Sequence, residues 1–87
     1  MADHITIYST GTCPRCDRSK ELMKKWGVPY KEMRVDQDRD ALKEMLERTD
    51  HARTVPQIFL GERHLGGLDD LTEAHMDGDL DELLGKA

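Results

Sequence analysis

Cys13 and Cys16 are the two cysteines of the chain, set in Thr12-Cys13-Pro14-Arg15-Cys16 directly after a short apolar run, His4-Ile5-Thr6-Ile7-Tyr8. Two sulfurs at this spacing can pass between dithiol and disulfide if a helix carries them, because residues three apart share one helical face. Pro14 favours that arrangement. Its fixed φ and missing N–H suit the first helical position, which makes Cys13 the N-cap and turns its sulfur toward unpaired backbone donors. The helix end supplies roughly half a positive charge. Thiols so placed in Cys-x-x-Cys motifs ionise anywhere from about pH 3.5 to 7.5 instead of near 8.5, and the thiolate is the nucleophilic form. A structural staple is the weaker reading, since a bridge across two residues restrains the unfolded chain little. Structural zinc needs four ligands, and His4, His51, His64 and His75 are scattered without paired spacing. No metal site is expected.

The elements around the pair follow from periodicity. His4 to Tyr8 reads as a strand, and Pro14 to Trp26 as a helix with Leu22, Met23 and Trp26 on its apolar side, ended by Gly27 and barred from continuing by Pro29. Tyr30 to Val35 alternates like a second strand, so the first three elements form a βαβ unit with parallel strands. The acidic stretch Asp36-Gln37-Asp38-Arg39-Asp40 precedes the periodic run Ala41, Leu42, Met45, Leu46. It reads as helix capping rather than a metal loop. That helix is expected to end near Thr49-Asp50. Thr54 to Leu60 predicts a third strand, Gly61-Glu62 a turn, and Arg63-His64-Leu65 a fourth strand in a hairpin. After Gly66-Gly67 a helix runs from Leu68 to about Met76, and Asp79 caps a last short helix through Leu80, Leu83 and Leu84. The expected order is β-α-β-α-β-β-α-α. Trp26, Phe59, Met45 and Tyr8 read as packing residues, and the histidines as solvated.

With 87 residues, 37% of them hydrophobic, residues 1–87 are expected to form one small domain. A net charge of −5 without a basic stripe argues against nucleic acid. The apolar runs are too short to span a bilayer. Met1-Ala2-Asp3-His4 lacks the basic start of a secretory signal, so a reducing cytoplasm is the expected compartment, and the chain is expected to be a monomer.

Cys13-Pro14-Arg15-Cys16, Thr54-Val55-Pro56 and Gly66-Gly67-Leu68-Asp69-Asp70-Leu71 together resemble the glutaredoxins, especially small bacterial dithiol members, over essentially the whole chain. The resemblance implies an α/β thioredoxin fold, a four-stranded mixed β-sheet flanked by helices. It implies Cys13 as the nucleophile and Cys16 as the second thiol, which resolves mixed disulfides. It also implies glutathione as reductant, with no bound cofactor, and disulfide-bonded or glutathionylated proteins as substrates. Thr54, Val55 and Pro56 match the glutathione pocket, with a cis Val55–Pro56 bond that leaves the Val55 backbone to pair with an extended peptide. Gly67, Leu68 and Asp69 match the segment that holds the γ-glutamyl end. Asp70 divides between that role and simple capping.

Two positions depart from the family pattern. Thr10 stands where a basic residue commonly meets the glycine carboxylate of glutathione, and Arg15 stands where Tyr is commonest. Arg15 is expected to take over part of that carboxylate contact and to favour the Cys13 thiolate. Two other functions stay open. One is an electron donor fed by thioredoxin reductase, serving for example ribonucleotide reductase, to which Thr10 lends support. The other is an iron–sulfur carrier, which Pro14 disfavours because cluster binding in the family goes with small, non-proline residues after the first cysteine.

Overall fold

The computed structural model describes residues 4–78. They form β1 (Ile5–Ser9), α1 (Pro14–Lys25), β2 (Tyr30–Arg34), α2 (Arg39–Arg48), β3 (Gln57–Leu60), β4 (Arg63–Gly66) and α3 (Leu68–Met76). One sheet holds the strands in the order β2-β1-β3-β4. β1 and β2 run parallel, while β1–β3 and β3–β4 are antiparallel. The expected short helix from Asp79 lies outside the described residues.

Strand alternation sorts the core into two layers. Ile5 and Ile7 of β1 and Ile58 and Leu60 of β3 pack with Met23 of α1 and Leu71 of α3, whereas Tyr8 and Phe59 pack with Ala41 and Met45 of α2. Helices therefore cover both faces, and each fully buried aliphatic side chain stabilises the fold by about 1.5–3 kcal/mol. Tyr8 is fully buried, and its hydroxyl donates to Glu44 Oε1 and accepts from Arg48 Nη1, both at 2.9 Å. Burial pushes the phenol pKa up, with the Glu44 and Arg48 bonds acting in opposite directions. The packing role expected for Tyr8 is thus the one it has.

Element ends differ from the sequence expectation in instructive ways. β1 lies one residue later than His4–Tyr8, because Ser9 is buried and donates to Glu32 Oε2 at 2.6 Å. Trp26 is the C-cap of α1 rather than its last residue, and Gly27 takes the left-handed φ of 71° that follows such a cap. Arg34 ends β2 one residue before Val35, and α2 starts at Arg39 because Asp38 caps it through the Asp40 and Ala41 N–H groups. The third strand does not begin at Thr54. It begins at Gln57, since Pro56 lacks the N–H a ladder needs and the Val55–Pro56 peptide is cis.

Two histidines are not simply solvated. His75 stacks on Trp26 with ring centroids 3.7 Å apart, and His64 stacks on Phe59 at 4.7 Å. Their apolar ring faces find aromatic partners that sequence spacing does not reveal.

Candidate active site

Cys13 occupies the N-cap of α1, with Pro14 at the first helical position, as the Pro14 argument requires. Its sulfur accepts the Cys16 N–H at 3.0 Å, so a backbone donor of the first turn points at it. That contact and the helix dipole favour negative charge on Cys13 once it is reduced. Cys13 and Cys16 are joined as a disulfide, with Cα atoms 5.2 Å apart. Cys13 retains 9% exposure, whereas Cys16 is fully covered. An incoming thiol or disulfide therefore reaches Cys13 and not Cys16.

The loop that enters α1 is anchored from a distance. The Gly11 N–H donates to Asp36 Oδ2 at 3.0 Å, and Arg34 grips the same carboxylate through Nε at 2.9 Å and Nη2 at 2.8 Å. The Arg34 guanidinium, aided by the Gly11 N–H, holds the Asp36 carboxyl well below the usual carboxylate range. Within the acidic stretch, then, Asp38 caps α2 as expected, while Asp36 ties the active-site loop to the end of β2.

Beside Cys13 lies a groove of about 320 Å³. Arg15 of α1, Thr54, Val55 and Pro56 of the β3 approach, and Gly67, Leu68 and Asp69 at the start of α3 all line it. These are the seven residues singled out by sequence as a binding pocket, brought together from three separate segments. Cys13 Sγ lies 3.8 Å from the Val55 carbonyl oxygen, which places the disulfide at the groove's edge. Among the described residues nothing pairs with the Val55 N–H.

At the other end, Gly66 has φ +118°, a conformation that favours glycine, and a Cβ there would push against the Asp70 carboxylate. Asp70 Oδ2 accepts the Gly67 N–H at 3.0 Å, so Asp70 caps α3. Asp69 is left facing the groove with its side chain 87% exposed. First-turn N–H groups of a helix have no intrahelical acceptor, which makes this end attractive to a carboxylate.

Arg15 turns toward α3. Its guanidinium sits 3.5 Å from Asp69 Oδ2, at the α3 end. The reason is geometric: Arg15 lies in the first turn of α1, which faces α3 across the groove, and Thr10 is not among the lining residues.

Two residues missed by sequence reading support the groove. Gln57 donates from Nε2 to the Thr54 carbonyl at 2.9 Å and to Thr54 Oγ1 at 3.1 Å, and its Oε1 meets His64 Nε2 at 2.7 Å. This relay holds Thr54 against β4. The signal available in the sequence was an amide at the head of the apolar run Ile58-Phe59-Leu60, where a strand buries it and it must find partners. Asp36, held by Arg34, gave no comparable signal, because its contact with Gly11 spans 25 positions. Among the described residues no cluster of three or more His, Cys, Asp or Glu is placed to hold a metal ion.

The glutaredoxin family model matches residues 5–65. The chain is 41% identical over 80 residues to a probable glutaredoxin of Synechocystis, covering 92% of this chain and 91% of that protein. It is also 41% identical over 81 residues to glutaredoxin 3 of Escherichia coli, covering 93% and 96%. A buckwheat glutaredoxin–glutathione complex superposes with a TM-score of 0.82 at 33% identity, covering 97% of this chain and 78% of that one. Glutaredoxin from Brucella melitensis superposes at 0.79 with 36% identity, covering 98% and 91%. With a capped cysteine pair on a four-stranded thioredoxin-fold sheet and relatives of this similarity, the chain belongs to the glutaredoxin family of thiol–disulfide oxidoreductases.

Proposed function

We propose that the chain is a glutathione-dependent oxidoreductase that reduces protein–glutathione mixed disulfides and protein disulfides. The observation that carries this reading is the groove running from Cys13 past the unpaired Val55 N–H to Asp69 and the start of α3. It offers a thiol peptide a strand-like backbone partner in its middle and, at its far end, donors for a carboxylate and an anion for an ammonium. Glutathione has those groups in that order, and the buckwheat neighbour forms a complex with it.

In the first route the Cys13 thiolate attacks the glutathione sulfur of a mixed disulfide. The substrate leaves as a thiolate and takes a proton, with glutathione now bonded to Cys13. A second glutathione thiolate attacks that bond, releasing glutathione disulfide and restoring the Cys13 thiolate. Cys16 takes no part. In the second route Cys13 attacks a protein disulfide and becomes linked to one substrate sulfur, Cys16 displaces it, and two glutathiones then reduce the Cys13–Cys16 bond.

A Cys16→Ser variant should retain deglutathionylation and lose most protein-disulfide reduction; equal loss of both would refute the division of labour. Thr10 supports one rival, reduction by thioredoxin reductase in place of glutathione. Supplying the oxidised protein with glutathione and glutathione reductase, or with thioredoxin reductase, separates the two. Turnover with the second system alone would overturn the glutathione reading.

A further inference from the structure

Arg15 is the one cationic side chain that lines the groove among the described residues. It is already matched with Asp69, at a nitrogen–oxygen distance of 3.5 Å and with the two side chains 65% and 87% exposed. So open an ion pair gains little from its own attraction, and its members change partners at small cost. Asp70 is committed to the Gly67 N–H, which leaves Asp69 as the carboxylate available to a ligand.

The γ-glutamyl end of glutathione carries an ammonium and a carboxylate on one carbon, so its two charges are as closely spaced as those of Arg15 and Asp69. Resting on the glutathione reading above, we propose that Arg15 is a specificity-determining residue, which exchanges Asp69 for the α-carboxylate of the γ-glutamyl group while the ligand's ammonium takes Asp69. The site then reads an α-amino acid head group through both of its charges. A ligand with the carboxylate alone must compete with Asp69 for Arg15. A ligand with the ammonium alone must compete with Arg15 for Asp69.

The test pairs Arg15→Gln with three thiols: glutathione, glutaryl-Cys-Gly, which lacks the ammonium, and 4-aminobutyryl-Cys-Gly, which lacks the α-carboxylate. The substitution should lower kcat/KM roughly threefold to fivefold for glutathione and glutaryl-Cys-Gly, the two thiols with a carboxylate at the glutamyl end, the range of an exposed charge pair. For 4-aminobutyryl-Cys-Gly it should cause no loss, because Asp69 is set free for the ammonium. Arg15→Lys should restore part of the activity with glutathione. Uniform loss across the three thiols would overturn the proposal and assign Arg15 either to thiolate stabilisation or to the glycine carboxylate that all three share, two roles that the pH dependence of Cys13 alkylation tells apart. A gain with glutathione would overturn it in favour of simple obstruction. Failure of wild-type protein to turn over glutathione at all would sink the underlying reading instead.

Discussion

Cys13 and Asp36 show how single side chains shape this site from opposite directions. Cys13 owes its environment to its own neighbours, the Pro14 ring and the Cys16 N–H. Asp36 acts from 25 positions away by accepting the Gly11 N–H while Arg34 holds it in place. Because the Arg34 contact, then the Gly11 contact, lowers the Asp36 pKa in the folded protein, that carboxyl contributes stability above its unfolded value, near pH 4. The contribution is lost as pH falls further, toward the folded value. Asp36→Asn should therefore lower Tm by a constant amount from pH 5 to 7, with the gap to wild type closing below about pH 4. A gap independent of pH down to 3 would show that the ionised pair is not what matters.

At the scale of elements, helix ends carry much of the design. α1 begins on a thiol cap, α2 on Asp38, and α3 on Gly67 with Asp70 folded back onto its N–H. Each cap satisfies donors that the first turn leaves open, yet two of the three also face the groove. Asp38 is the exception, serving α2 alone. Asp38→Ala should cost about 0.5–2 kcal/mol in urea unfolding. The rate of Cys13 alkylation should stay unchanged, and a slowed rate would mean that α2 helps to set the sulfur's environment. The β3 approach is different, because Thr54 is held by side chains, through Gln57 and His64, rather than by a ladder.

For the whole molecule, the sheet acts as a jig. β1 delivers Cys13 at its C-terminal end, and the antiparallel β1–β3 pairing brings the residues just before Gln57 alongside it. α3 is fixed above by Leu71, which is fully buried among Ile7, Met23 and Ile58. Leu71→Ala should lower stability by about 2–5 kcal/mol, at an unchanged denaturant slope, as a cavity opens in that layer. A loss below about 1 kcal/mol would show that other contacts seat α3.

Local physics made the redox pair, the helix caps at Cys13 and Asp38, the strand alternation and the hairpin legible in the amino-acid order, because each depends on residues a few positions apart. The motifs at Thr54-Val55-Pro56 and Gly67-Leu68-Asp69 were legible as separate pieces. Only the folded chain decided that they share a groove with Cys13, through contacts that span 42 positions from Cys13 to Val55 and 54 from Arg15 to Asp69. It also decided that Arg15 turns to the α3 end, that His64 and Gln57 brace Thr54, and that Asp36 holds Gly11. Such partners are chosen by strand pairing and helix packing, which place distant residues side by side without leaving a periodic trace in the sequence.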